Sequence, residues 1–117
     1  MNIEEFRDHC LALPLVEECQ PFGDDVLVYK VAGKVFALIS ISDYAKGVSL
    51  KCDPERAVEL REQYAAIVPG FHLNKMHWNT IMPEQSLPLG LLPELINHSY
   101  AMVIKGMPKK RKIELGL

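Results

Sequence analysis

Residues 26–42 read VLVYKVAGKVFALISIS. Two runs dense in β-branched and aromatic side chains flank Ala32-Gly33, a link short enough for a β-hairpin, so 26–31 and 34–42 are read as paired strands. Alternation along the second run puts Val35, Ala37, Ile39 and Ile41 on one face, which should be the buried one. Lys34, Phe36, Leu38 and Ser40 take the other face, which is not fully polar and so implies partial cover.

Working outward, residues 2–13 read as a helix. Ile3, Phe6, Cys10 and Leu13 form one stripe, Asn2 can cap the start and Pro14 stops the end. The segment VEECQPFG (16–23) reads as irregular, with Phe22 available to pin the loop to the core. Downstream of the hairpin, GVSLKC (47–52) reads as a third strand, with Val48, Leu50 and Cys52 on one face and Ser49 and Lys51 on the other. Asp53-Pro54-Glu55 is a helix start: a capping side chain, a proline suited to the first turn, and an acid matched to the helix dipole. This second helix is expected to run to about residue 67, with Ala57, Leu60, Tyr64 and Ile67 as its stripe, before Pro69-Gly70.

The stretch GFHLNKMHWNTI (70–81) then gathers two histidines, a lysine, two asparagines and the single tryptophan. Its middle alternates as a strand, with Met76, Trp78, Thr80 and Met82 opposite Lys75, His77, Asn79 and Ile81. By that parity Trp78 is packed, and the lysine, histidine and asparagine form a polar outer surface. Residues 83–92 read as a loop, a last helix runs from near Pro93 to Gly106, and residues 109–117 read as a basic tail carrying Lys109-Lys110-Arg111-Lys112. The order of elements implies a single α+β domain over 1–117: a two-layer sandwich with a mainly antiparallel sheet and helices on one face. The other face is then partly open, or meets a second subunit.

At 117 residues and 49% hydrophobic composition, one domain with a real core is expected. No apolar run approaches the ~20 residues that cross a bilayer, and the acidic, amphipathic start lacks a signal pattern. A soluble, cytoplasmic protein is the expectation. Cys10, Cys19 and Cys52 are odd in number and show no CxxC spacing, which fits reduced thiols better than a disulfide frame or zinc knuckle. The net charge of −2 is unevenly spread. Residues 1–29 hold seven acids and Arg7, whereas residues 30–51 hold four lysines and Asp43. A sheet surface of one sign and a helix surface of the other is therefore possible behind a near-neutral average.

Most catalytic chemistries lack support in the residues. His72 and His77 are an odd number of residues apart, so a regular strand sends them to opposite faces, and no HxH or HxxxH pattern accompanies them. Ser99 has no GxSxG elbow; the expectation there is a helix whose tyrosine, Tyr100, packs inward and whose Ser99 bonds a backbone carbonyl. Gly33-Lys34 is a hairpin turn and not a phosphate loop. Nucleic-acid binding is the more plausible class. Lys51 together with Lys75, His77 and Asn79 can meet on one face, with Lys30, Lys34 and the basic tail extending it.

Six segments together resemble a known family. They are Pro21-Phe22-Gly23, Gly33-Lys34-Val35-Phe36, Val48 through Pro54, Pro69 through Lys75, His77-Trp78-Asn79-Thr80 and Ser99-Tyr100. In this order and spacing, across nearly the whole chain, they resemble the MmcQ/YjbR-like family of small bacterial proteins. The resemblance implies a compact two-layer fold of the frataxin (CyaY-like) kind, a DNA-binding role, no catalytic residues and no cofactor; the histidine spacing gives no support for a metal. The DNA candidates, Lys34, Lys51, Lys75, His77 and Asn79, come from charge and strand parity alone. Two rivals remain. One is an adaptor module for a protein or small ligand, which needs Phe36 and Leu38 exposed beside Lys34. The other is an enzyme, which needs a concave pocket holding His72 or His77 with a carboxylate in reach.

Overall fold

Asn2 opens the first helix, α1 (Ile3–Leu11), through a reciprocal capping box: its side chain accepts from the Glu5 N–H at 2.8 Å, and the Glu5 carboxylate accepts from the Asn2 N–H at 3.0 Å. The computed structural model describes residues 1–71 and 73–117; His72, weighed above as a metal or catalytic group, lies outside the described residues. After α1 come strands β1 (Val16–Cys19), β2 (Val26–Val31) and β3 (Lys34–Ser40), a 3-10 turn at Tyr44–Lys46, and β4 (Val48–Lys51). Helix α2 (Pro54–Gln63), strands β5 (Ile67–Pro69) and β6 (Trp78–Ile81), and helices α3 (Leu91–Lys105) and α4 (Lys109–Leu115) complete the chain. The strands form one antiparallel sheet in the order β1-β2-β3-β4-β6-β5. This is the expected α+β arrangement.

The helices share one core with one face of the sheet. Phe6 and Cys10 of α1, Leu60 of α2 and Ile96 of α3 meet Tyr29, Ile39, Leu50 and Ile81 there. Phe6 packs edge-on against Tyr29 and Tyr44, with ring centroids 6.2 and 6.1 Å away. Asp53 caps α2 as expected, accepting from the Arg56 N–H. The β2–β3 turn forms at Ala32-Gly33 with φ of 49° and 78°, the left-handed pair that a two-residue hairpin requires.

Several expectations fail for identifiable reasons. The hairpin contains a bulge: Tyr29 pairs with Ala37 and Lys30 with Val35, so Phe36 is an extra residue. One extra residue flips the faces. Phe36 therefore turns into the core, fully buried, with its ring edge-on to Tyr100 at 5.5 Å. Ile41, expected to be buried, lies beyond the strand and is exposed. The irregular segment 16–23 contains β1; its two glutamates hide the strand pattern, yet Glu18 is held by Arg7 and Tyr29. Phe22 does not pin the loop, being 70% exposed.

Helix α2 stops at Gln63, because Tyr64 turns extended and Ile67 joins the sheet as β5 beside β6. Ile67 thus serves the core from a strand and not from a helical stripe. The basic tail is likewise a helix: Pro108 precedes α4 and Gly116 ends it at φ 71°. Leu115 and Leu117 pack it against the core.

Candidate nucleic-acid interface

Of the five candidate residues, two come together. Lys34 starts β3 and Lys51 ends β4, and both line a cleft of about 400 Å³. Arg111 of α4 reaches the same cleft, whose remaining walls include Val35, Val103 and Met107. From the sequence, Arg111 counts only as part of a basic tail extending the surface, not as a neighbour of Lys34 and Lys51. A usable signal existed in the proline before and the glycine after residues 109–115, with leucines at 115 and 117.

Ser99 shapes this end of the sheet. By the register of Ala37 with Leu50, the next pair outward would be Phe36 and Lys51. The Ser99 hydroxyl takes that place, donating to the Phe36 carbonyl at 2.5 Å and accepting from the Lys51 N–H at 2.8 Å. Tyr100 packs inward as expected, and its hydroxyl donates to the Pro14 carbonyl at 2.6 Å.

Asn79 is not at any surface. It sits opposite Leu50 on the core face, 1% exposed, where its carbonyl oxygen accepts from Arg61 Nε at 2.7 Å and its amide donates to the Ala57 carbonyl. Its polarity serves a buried bridge between β6 and α2. Trp78 is accordingly on the other face, paired across the ladder with Lys51 and half-buried. Expectation had placed this tryptophan inside and the asparagine outside. Trp78 and Asn79 alternate as expected, but the polar residues taken to mark the outer face, Lys75 and His77, lie in the turn before β6, while Asn79 and Ile81 pair with the core residues Leu50 and Val48.

Lys75 lies in that turn, exposed, with Nζ donating to the Gly70 carbonyl and its own carbonyl accepting from Arg61. His77 is half-buried, and its carbonyl accepts from the Cys52 N–H at 2.8 Å. Neither Lys75 nor His77 lines the cleft. Thr80, last of the His77–Thr80 motif, accepts from the Phe71 N–H. The His-Trp-Asn-Thr and Ser-Tyr motifs thus act mainly as fasteners of the sheet to its neighbours.

Burial pushes the Cys10 thiol up to about 12 and the Cys52 thiol up to about 11, which keeps both protonated and unreactive. Among the described residues no group of three His, Cys, Asp or Glu side chains is placed to hold a metal ion. A second cleft, of about 490 Å³, is bordered by Met1, Glu5, Glu84 and Leu92, and His77 does not reach it. Among the described residues no helix is long and apolar enough to cross a membrane.

Comparison with known proteins gives a consistent result. The YjbR family model matches residues 11–102. The uncharacterized protein YbdF of Escherichia coli O157:H7 is 39% identical over 100 residues, covering 86% of this chain and 82% of its own length. The uncharacterized protein YjbR of Escherichia coli strain K12 is 32% identical over 112 residues, covering 96% of this chain and 95% of its own. The crystal structure of Deinococcus radiodurans protein DR2400, of family-model domain DUF419, superposes with a TM-score of 0.92 at 41% identity, covering 99% of this chain and 88% of that one. A Pseudomonas syringae protein shares the fold, with a TM-score of 0.74 at 24% identity over 87% of this chain and 98% of that one.

Proposed function

The chain belongs to the YjbR family, and on that premise we propose that it is a non-enzymatic protein that binds double-stranded DNA through its basic end. One observation carries the reading: α4 folds the basic run back so that Arg111 lines the same cleft as Lys34 and Lys51. Between Glu94 and Glu114 the sequence has no acid and five cations, Lys105, Lys109, Lys110, Arg111 and Lys112. Such a concentration attracts phosphates despite the acidic average, because screened electrostatics act over about 8–10 Å and not over the whole molecule. Asn79 has no part in it, and Lys75 and His77 are at most peripheral.

The test is fluorescence anisotropy of a labelled duplex at low and near-physiological salt. Binding is expected to weaken steeply with salt. The triple variant K109A/K110A/K112A is expected to flatten the dependence of log affinity on log salt by up to about 0.9 for each phosphate contact removed. No binding at low salt, or an unchanged slope in the variant, would overturn the reading.

A second reading, an adaptor for a protein partner, loses part of its original support because Phe36 is buried, while Leu38 is half-buried. It draws instead on Phe71 and Met76, 58% and 62% exposed in the turn before Trp78.

A further inference from the structure

The cleft has a feature that duplex binding does not use. Its floor is apolar: Val103 and Met107 are 5% and 8% exposed, and Val35 is half-buried beside them. Lys34, Lys51 and Arg111 come from three separate segments and line the same cleft, with no carboxylate among the lining residues. Among the described residues Lys34 and Lys51 make no ion pair, and Arg111 has only a long contact of 3.8 Å to the exposed Glu114. Three cationic residues lining one cleft, with no carboxylate among its lining residues, favour an anion there. The volume, about 400 Å³, falls within the ~300–1,000 Å³ of small-ligand pockets. The backbone of the cleft is held by the Ser99 hydroxyl between Phe36 and Lys51, which fixes where Lys51 starts.

We propose that this cleft binds a small phosphomonoester carrying a compact apolar or aromatic body. The phosphate lies among Lys34, Lys51 and Arg111, where a guanidinium fork and two ammonium groups match a dianion. The body lies on Val35, Val103 and Met107. Duplex DNA presents its phosphates on a convex backbone and offers nothing of this kind to the floor. The proposal therefore goes beyond the DNA reading, although the two share cations.

The experiment titrates the full chain with phenyl phosphate and, separately, with inorganic phosphate, followed by amide chemical shifts and calorimetry. Phenyl phosphate is expected to bind at least tenfold more tightly than inorganic phosphate, with the largest shifts at Val35, Lys51 and Met107. K51M and K34M are each expected to weaken phenyl phosphate at least tenfold. V35Y, which fills the floor, is expected to abolish that binding while leaving duplex affinity within about twofold; K109A/K110A/K112A is expected to do the reverse. Circular dichroism and thermal melts establish that each variant is folded, and K34M, at an exposed position, decides the matter if V35Y does not fold. Equal affinity for the two phosphates, shifts outside the cleft, or unweakened binding in K34M and K51M would overturn the proposal. Duplex binding without phenyl phosphate binding sinks the cleft alone; the converse sinks the DNA reading alone.

Discussion

The Ser99 hydroxyl accepts the backbone N–H of Lys51 at 2.8 Å, and so holds the last residue of a strand from a helix 48 positions away in sequence. The same oxygen donates to the Phe36 carbonyl, so one buried side chain satisfies two backbone groups that the sheet ladder leaves open. Replacing it with alanine removes both bonds at once. S99A is expected to lose about 1–3 kcal/mol, the cost of leaving buried polar groups unpaired, measured by urea unfolding. A loss below about 0.5 kcal/mol would mean that β3 and β4 close on each other when the hydroxyl is gone.

Arg61 and Asn79 form a comparable fastener between α2 and β6. The Asn79 side chain is buried and uses both its oxygen and its nitrogen, while Arg61 also bonds the Lys75 carbonyl. R61A and N79A are each expected to destabilise. A double-mutant cycle should return a coupling of about 1–3 kcal/mol, as for a buried bond to a charged donor. Additive losses would show that the contact carries no energy of its own.

Gly47 has φ 149°, and a Cβ built on it would lie 2.3 Å from the Thr80 methyl. Backbone strain and steric overlap therefore act together at this position. G47A is expected to cost about 1–3 kcal/mol. T80S deletes the offending methyl yet keeps the hydroxyl that accepts from Phe71. In the double variant the overlap is relieved while the backbone strain remains, so part of the loss should return. No recovery would assign the whole effect to φ.

His98 supplies a pH dependence. Its Nε2 accepts from the Asp53 N–H at 3.1 Å, which requires the ring to be neutral at that nitrogen. Burial, aided by Arg56, lowers its pKa below the ordinary histidine value, with Glu94 and Asp53 opposing. An unfolded chain then binds the proton more readily than the folded one. The stability contributed by the neutral ring is complete above the unfolded value of about 6.5. It is lost progressively as pH falls below that value toward the folded pKa. Urea midpoints at pH 7.5 and 5.0 should differ more for the native chain than for H98Q, whose amide oxygen can accept the same bond without titrating. An equal difference in both would acquit His98.

Local chemistry settled what local chemistry can. Asn2 and Asp53 cap helices where the sequence puts caps, and Ala32-Gly33 turns the hairpin. Val48 and Leu50 face the core opposite Ser49 and Lys51 because β4 contains no irregularity to disturb its alternation. Ser99 and Tyr100 could be assigned as packing residues because their helix leaves no room for a nucleophile's turn.

Faces after an irregularity depend on which residues pair across the sheet, and pairing is not local. The bulge at Phe36 moved one large side chain from the open face to the core, and with it the case for an apolar docking strip. Pairing of Asn79 with Leu50 and of Ile81 with Val48 put the asparagine, and not Trp78, on the core face. Folding α4 onto Leu115 and Leu117 brought Arg111 to Lys34 and Lys51, across 77 and 60 residues of chain. Composition and spacing determined that this chain is a two-layer α+β domain with its cations in the hairpin, β4 and the C-terminal run. Only the tertiary structure decided which of those cations share a cleft, because a side chain's direction in a strand reverses with every residue by which the register shifts.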